Sequence, residues 1–225
     1  MKIAIDGPSG AGKSSVAKLL AARLGMVYVD TGALYRSIGL YIRECGVDPK
    51  DADAVTAKLP EITLEIKYEN GIQQVYLNGE CVGDRIRENE ISMYASAVSA
   101  IPAVRAFLLD TQRNIANSCD VIMDGRDIGT VILPDAEVKI FLCASCEARA
   151  KRRYKELKEK GQRVSYKKIL ADIIERDHND RNRAIAPAVP ASDAVILDNS
   201  DIDLEGTLHC AVEIINEKTG KGYEG

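Results

Sequence analysis

No segment constrains the fold of this chain more than Gly7-Pro8-Ser9-Gly10-Ala11-Gly12-Lys13-Ser14, which fills every fixed position of a phosphate-binding loop. It follows a short apolar run, Lys2-Ile3-Ala4-Ile5-Asp6, and precedes a stretch of helical character. A flexible glycine turn is the alternative, but the strand-turn-helix context is the one the loop's chemistry requires. The glycines let successive backbone N–H groups point at one anion, and the helix starting near Lys13 aims its positive end there. Residues Gly7 to Ser15 are therefore the candidate binding segment for a nucleotide's phosphates. Lys13 is placed to reach the β- and γ-phosphates, and Ser14 to offer a hydroxyl to Mg²⁺.

The rest of the chain repeats the strand-helix alternation. Strand candidates are Ile3 to Asp6, Met26 to Asp30, Asp120 to Asp124, Val138 to Leu142 and Ala194 to Asp198, which predicts a parallel sheet covered on both faces. In such a sheet the carboxyl ends of the strands share one edge, where ligands sit. That puts Asp6, Asp30 and Asp124 near the phosphate loop, with Asp198 more weakly placed. One stretch breaks the rhythm. Between about Ile62 and Asp84, three short apolar runs are separated by Asn70-Gly71 and Asn78-Gly79, which predicts an inserted antiparallel meander. Helix candidates flank it at Asp48 to Lys58 and Ile86 to Ala100, and Pro102 opens another that runs to about Asn117.

Length and charge exclude several classes. The chain has 225 residues, 46% of them hydrophobic, and a formal net charge of -4, so an acidic chain of this size is not expected to bind nucleic acid as an obligate partner. No apolar run approaches a membrane span, and the apolar start breaks at Asp6-Gly7, too early for a secretory signal. The expectation is a cytoplasmic protein without membrane association. Its six scattered cysteines read as reduced thiols, because a core of this size needs no staples. Cys143-Ala-Ser-Cys146 has the spacing of a redox or zinc motif, yet no second pair accompanies it, and a strand end running into a helix start explains it.

Two basic segments follow, Ala148 to Lys160 and Ser165 to Arg183. Along the second, Ile169, Ile173, Arg176, Asp180 and Arg183 share one helical stripe that begins apolar and becomes charged without changing face. Inward charges need partners or a ligand. An Arg176–Asp180 surface pair, worth ~0.3–0.5 kcal/mol, is the alternative; the ligand reading is preferred, with Ala184 to Pro190 as a loop closing over the site. His178 lies off the stripe and reads as a surface residue.

The second strand leads into Asp30-Thr31-Gly32-Ala33-Leu34-Tyr35-Arg36, so Thr31 is expected to cap a helix facing the crevice, with Arg36 about one and a half turns in. Asp124-Gly125-Arg126-Asp127 puts another arginine and carboxylate at the same edge. With Arg105, Arg176 and Arg183 there are more arginines than one triphosphate needs. Phosphoryl transfer depends on positioning and cation clamping, and an arginine-rich site without an obvious general base fits an acceptor that is itself a phosphate.

Four segments, Ile5 to Lys13, Asp30 to Arg36, Asp124 to Thr130 and Arg181 to Pro187, resemble those of the bacterial cytidylate kinases, a family of phosphate-loop nucleoside monophosphate kinases. The resemblance runs from the start of the chain to about Asp198. It implies ATP as donor, with Mg²⁺, and CMP or dCMP as acceptor in pyrimidine nucleotide metabolism. It also implies that Thr31, Ser96, Arg105, Asp127, Arg176, Asp180 and Arg183 hold base and sugar, while Arg36 and Arg126 meet the acceptor phosphate. Lys13, Arg36 and Arg126 are then the catalytic residues. The expected fold is α/β: a three-layer α/β/α phosphate-loop core with a five-stranded parallel sheet, a small antiparallel β insert and a helical lid. The expected organisation is one kinase domain over 1–225 and a monomer. Its core is 1–30, 100–148 and 184–225, its monophosphate-binding region with the insert is 31–99, its lid is about 149–165 and its substrate-site helix is 166–183. Ser14-Ser15 stands where the family often has Gly-Thr, which leaves open which hydroxyl faces Mg²⁺. Two readings compete with cytidylate phosphorylation: a kinase for UMP and CMP on the same scaffold, and a nucleotide-dependent binding module. Against the module, the guanine-reading Asn-Lys-x-Asp element of GTPases is absent.

Overall fold

The computed structural model describes residues 1–69 and 72–223. The chain divides into two compact units, one made of Met1–Met26 with Asp120–Gly225 and the other of Val27–Cys119. Its elements run in the order β1 (Lys2–Asp6), α1 (Lys13–Leu24), β2 (Val27–Asp30), α2 (Thr31–Glu44), α3 (Ala52–Lys58), β3 (Leu64–Glu69), β4 (Ile72–Leu77) and β5 (Glu80–Cys81). They continue with α4 (Asn89–Val98), α5 (Pro102–Ser118), β6 (Val121–Gly125), β7 (Val138–Cys143), α6 (Cys146–Glu159), α7 (Tyr166–Asn182), β8 (Val195–Asp198) and α8 (Leu204–Thr219). The five-stranded sheet has the order β2-β6-β1-β7-β8, and a separate three-stranded sheet has the order β3-β4-β5.

In the first unit β1 lies between β6 and β7, parallel to both, with Asp6 opposite Gly125 and Phe141; β8 pairs parallel to β7 and sets Asp198 opposite Cys143. The register brings these strand ends to one edge, as the apolar runs predict. Those runs are apolar throughout because both faces are covered: Ile3, Ala4, Val121, Ile122, Met123 and Val138 have no solvent exposure. Helices α1 and α8 pack on each other and on this sheet.

The second unit has its own core, in which Leu34, Ile38 and Ile42 of α2 meet Ile91 and Val98 of α4, Val104 and Leu108 of α5, and Val75 and Leu77 of the insert. Strands β3, β4 and β5 form the expected meander. Asn78 and Gly79 both have positive φ, 49° and 85°, which is the tight hairpin turn that Asn-Gly favours. The Asn70-Gly71 turn lies outside the described residues.

Three helix boundaries differ from expectation. Asp51 caps α3 by accepting the Ala54 N–H at 3.0 Å, so that helix starts later than Asp48. A short helical turn over Gly83–Arg87 precedes α4 and delays its start to Asn89. Helix α7 ends at Asn182 because Arg183 turns extended, with φ -62° and ψ 142°. No single helix among the described residues is long and apolar enough to cross a membrane.

Candidate active site

In the first unit the phosphate loop joins β1 to α1. Gly7 has φ 147°, and a Cβ there would sit 1.9 Å from the Leu142 carbonyl oxygen, so both backbone angle and space demand glycine. Lys13, only 5% exposed, donates from Nζ to the Pro8 carbonyl at 2.8 Å. Burial, reinforced by the Arg126 cation, pushes its ammonium well below the ordinary lysine range, while Asp124 and Asp6 oppose that shift. Ser14 donates from Oγ to Asp124 Oδ2 at 2.8 Å, whereas Ser15 is exposed. Of the two hydroxyls, Ser14 is thus the one joined to a strand-end carboxylate.

Asp6 is buried and accepts the N–H groups of Ile128 at 2.8 Å and Gly129 at 2.7 Å. Burial drives its carboxyl up to about 6 against the pull of these two hydrogen bonds, and the Asp127 charge adds to the rise. The segment Asp6 holds makes a wide turn over Ile128–Ile132, closed by the Leu133 N–H on the Ile128 carbonyl five residues back at 2.7 Å. Such wide turns are rare and recur at functional sites.

Just before that turn, Arg126 and Asp127 meet two residues of opposite charge in reverse order. Arg126 donates from Nε to Asp180 Oδ2 at 3.0 Å, and Arg183 approaches Asp127 Oδ1 from Nη2 at 3.4 Å. Asp127 and Asp180 are 3% and 6% exposed. Burial alone would raise the Asp180 carboxyl, but Arg126, Arg176 and Arg183 outweigh it and hold the group below the usual carboxylate range. Arg183 also donates from Nε to the Ala186 carbonyl at 2.5 Å, and Ala186 adopts a left-handed φ of 48°. The stripe on α7 therefore turns inward into a charged cluster, which replaces the reading of Arg176 and Asp180 as an isolated surface pair.

A second cluster lies in the second unit. Asp30, not Thr31, caps α2: its extended backbone leaves the carboxylate free to accept the Ala33 N–H at 2.9 Å, and Thr31 is already the first helical residue. The other carboxylate oxygen of Asp30 accepts from Arg36 Nη2 at 2.8 Å. A Cβ on Gly32 would come within 3.1 Å of Arg36 Nη1 and 3.2 Å of Asp30 Oδ1, so a side chain there would make this pair give by a few tenths of an ångström. Arg36 Nε is buried and has no hydrogen-bond partner among the described residues. Gln73 of β4 grips the Asp30 peptide from both sides, its Oε1 accepting the Asp30 N–H at 2.7 Å and its Nε2 donating to the Asp30 carbonyl at 3.3 Å. Arg105 lies over the Tyr35 ring at 5.8 Å and donates to the Ser99 carbonyl, and Ser99 in turn donates from Oγ to the Ser96 carbonyl. Ser96 and Arg105 thus share the junction of α4 and α5.

This set of strand ends, loop and charged pairs accords with the comparison to known families, where the model described as cytidylate kinase matches residues 3–217. The chain belongs to the cytidylate kinase family. The cytidylate kinase of Fervidobacterium nodosum is 48% identical over 217 residues, covering 96% of this chain and 97% of that one. That of Caldicellulosiruptor bescii is 47% identical over 214 residues, 95% of each chain, and that of Lactobacillus gasseri 46% identical over 218 residues, 97% and 95%.

Of the candidate site residues expected from the sequence, the first unit contains Gly7 to Ser15, Arg126, Asp127, Arg176, Asp180 and Arg183, while the second contains Thr31, Arg36, Ser96 and Arg105. His178 is exposed. The six cysteines are free thiols, and among the described residues no three His, Cys, Asp or Glu side chains converge as metal ligands. Two residues with conspicuous roles escaped the sequence reading. Gln73 is one. The other is Asn199, one residue past the strand-end Asp198, which donates from Nδ2 to the Ala11 carbonyl at 2.9 Å. Asp198 itself is exposed and accepts from the N–H and Oγ of Ser200. A carboxamide following a parallel strand is the only trace of Asn199 in the sequence.

Proposed function

We propose that this protein transfers the γ-phosphoryl group of ATP to CMP and dCMP, giving CDP and dCDP. The observation that carries the reading is the two ion pairs, Arg126–Asp180 and Arg183–Asp127, of which Arg126 acts on Lys13 and Asp127 on Asp6 beside the phosphate loop. Cytosine offers an amino donor beside acceptors, and a buried carboxylate with an arginine is the complementary set. Uracil sets a carbonyl against Asp127. Facing a buried carboxylate with an acceptor costs ~1–3 kcal/mol, about tenfold to a hundredfold in preference.

In this mechanism Lys13 and the loop N–H groups hold the donor's phosphates, and Arg126 and Arg36 receive the acceptor phosphate. The buried Arg36 Nε supports that role, since an N–H of a guanidinium left over after the Asp30 pair suits a phosphate oxygen. Thr31, Ser96, Arg105, Arg176 and Asp180 complete the hold on base and sugar. Ser14 and Asp124 fit Mg²⁺, being a hydroxyl and a carboxylate oxygen already 2.8 Å apart. An ion held by these two residues would supply positive charge to offset that of the transferred phosphoryl group. The lid is the distal part of segment 149–165, because Arg149 at its root is fixed to the Ser9 carbonyl; its closure keeps water from the γ-phosphoryl group.

A coupled assay with ATP, Mg²⁺ and each common nucleoside monophosphate tests the proposal. CMP and dCMP are expected to turn over, with UMP about tenfold to a hundredfold poorer in kcat/KM. Equal use of UMP points to a dual pyrimidine kinase, and ATP consumption that no monophosphate stimulates points to a binding module.

A further inference from the structure

Helix α6 carries two arginines, one turn apart, that act on the back of the phosphate loop, one directly and one through Asn199. Arg149 is 2% exposed; it donates from Nη1 to the Ser9 carbonyl at 2.9 Å and from Nε to the Ala144 carbonyl at 2.9 Å, and its guanidinium pairs with Asp177 of α7. Its stem packs under the loop, since a Cβ on Gly10 would meet three of its carbons at 3.6 to 3.9 Å. Arg152 does not reach the loop itself. It donates from Nη1 to Asn199 Oδ1 at 3.1 Å and from Nη2 to the Asn199 carbonyl. Asn199, 3% exposed, passes the contact on through Nδ2 to the Ala11 carbonyl, and its own N–H is held by the Cys143 carbonyl at 2.9 Å. With a cationic donor on its oxygen and a carbonyl on its nitrogen, the carboxamide has one orientation.

The consequence follows from the planarity of the peptide unit. In a trans peptide the carbonyl of one residue points opposite to the N–H of the next. Fixing the Ser9 and Ala11 carbonyls on the protein side therefore turns the Gly10 and Gly12 N–H groups to the other side, where an anion binds. Gly10 and Gly12, at φ 77° and 90°, have the left-handed backbone that such alternation requires.

We propose that Asn199, held by Arg152, is a positioning residue for the phosphate loop: it fixes the Ala11 peptide so that the Gly12 N–H faces the donor's phosphates, and Arg149 does the same at Ser9. This deepens the reading of the loop as the ATP phosphate site and rests on it. A direct contact of Asn199 with the nucleoside part of ATP is the competing role, and inorganic tripolyphosphate separates the two because it presents the phosphates without the nucleoside.

The experiment compares wild type with Asn199→Ala and Arg152→Gln, measuring KM for ATP, KM for CMP, and inhibition by tripolyphosphate against ATP. For Asn199→Ala, KM for ATP and the tripolyphosphate inhibition constant are expected to rise together by roughly tenfold, with KM for CMP nearly unchanged. Arg152→Gln leaves the Asn199 contact in place but loosens its hold, and is expected to give the same pattern more weakly, which keeps the test open should Asn199→Ala fold poorly. A rise in KM for ATP with tripolyphosphate inhibition unchanged would overturn the proposal in favour of a nucleoside contact. Equal rises in KM for ATP and CMP would overturn it in favour of general disorder. If tripolyphosphate does not compete with ATP in the wild type, the loop assignment fails first.

Discussion

Asp6 gives the sharpest quantitative test of how this site is built. It is a buried carboxylate with two backbone N–H donors, and burial still lifts it from 3.8 to about 6. At ~1.4 kcal/mol per tenfold change in proton affinity, ionised Asp6 costs the native state about 3 kcal/mol relative to the unfolded chain. A carboxyl raised on folding contributes stability that is present in full below pH 3.8 and is lost as pH rises through about 6. Between pH 5 and 7.5 roughly half of that cost, on the order of 1 to 2 kcal/mol, comes into force. Asp6→Asn removes the titration. It also turns an NH₂ group toward the Ile128 or Gly129 N–H, a fixed penalty of ~1–3 kcal/mol that does not depend on pH. The expected result from urea denaturation of the ligand-free protein is a stability difference, mutant minus wild type, that grows by on the order of 1 to 2 kcal/mol from pH 5 to 7.5 with equal m-values. Titrating groups that do not interact with Asp6 are shared and cancel in the difference; Lys13 and Asp127, which do interact with it, modulate the size of the effect. Parallel stability profiles, or a difference that shrinks as pH rises, would refute the argument that Asp6 is held ionised against its burial.

Four further outcomes are expected. Lys13→Met should cut phosphoryl transfer by several orders of magnitude without lowering the melting temperature, since it removes a buried charge while leaving an apolar stem; a folded mutant with near-normal turnover contradicts the assignment. Asp127→Ala should lower kcat/KM for CMP far more than ATP binding and bring CMP and UMP closer together; equal losses on both acceptors mean that Asp127 serves architecture alone. Gln73→Ala should raise KM for CMP several-fold and leave KM for ATP alone, because the carboxamide holds the Asp30 peptide whose side chain orients Arg36; unchanged acceptor kinetics refute that chain of contacts. Hydrogen exchange over residues 153–163 should slow when ATP and CMP analogues are bound together, while residues 149–152 are protected already in the free protein; identical exchange with and without ligands rules out a lid.

What the sequence made legible is what local geometry dictates. Gly7 is readable because a left-handed angle and a close carbonyl leave glycine alone, and the inward stripe of α7 is readable because its period is that of a helix. The residues that escaped act on backbone groups far away along the chain. Asn199 and Ala11 are 188 positions apart, and Gln73 and Asp30 are 43 apart. Neither contact follows from a spacing rule, because a carboxamide bonding to a main-chain group leaves no mark on the identity of its partner. The misjudged cap at Thr31 has a related cause: Asp30 and Thr31 are both good caps, and the choice between them depends on where the extended backbone of β2 stops.

The insert shows how such contacts give meaning to a segment whose sequence announces only its hairpins. Strand β2 ends the sheet order, and a terminal strand presents main-chain groups that no neighbouring strand satisfies. Tyr68 and Gln73 are opposite one another in the pairing of β3 with β4, and they serve that edge together. The Tyr68 hydroxyl donates to the Tyr28 carbonyl at 3.2 Å, and Gln73 takes both the N–H and the carbonyl of Asp30. One cross-strand pair thus covers backbone groups of Tyr28 and Asp30 in β2 without adding a strand to the sheet. The residue so held is the one whose carboxylate caps α2 and pairs with Arg36. Edge protection and alignment of Arg36 are in this way the same set of hydrogen bonds, and under the proposed function, which assigns Arg36 to the acceptor phosphate, they would tie the insert to the acceptor side of the reaction.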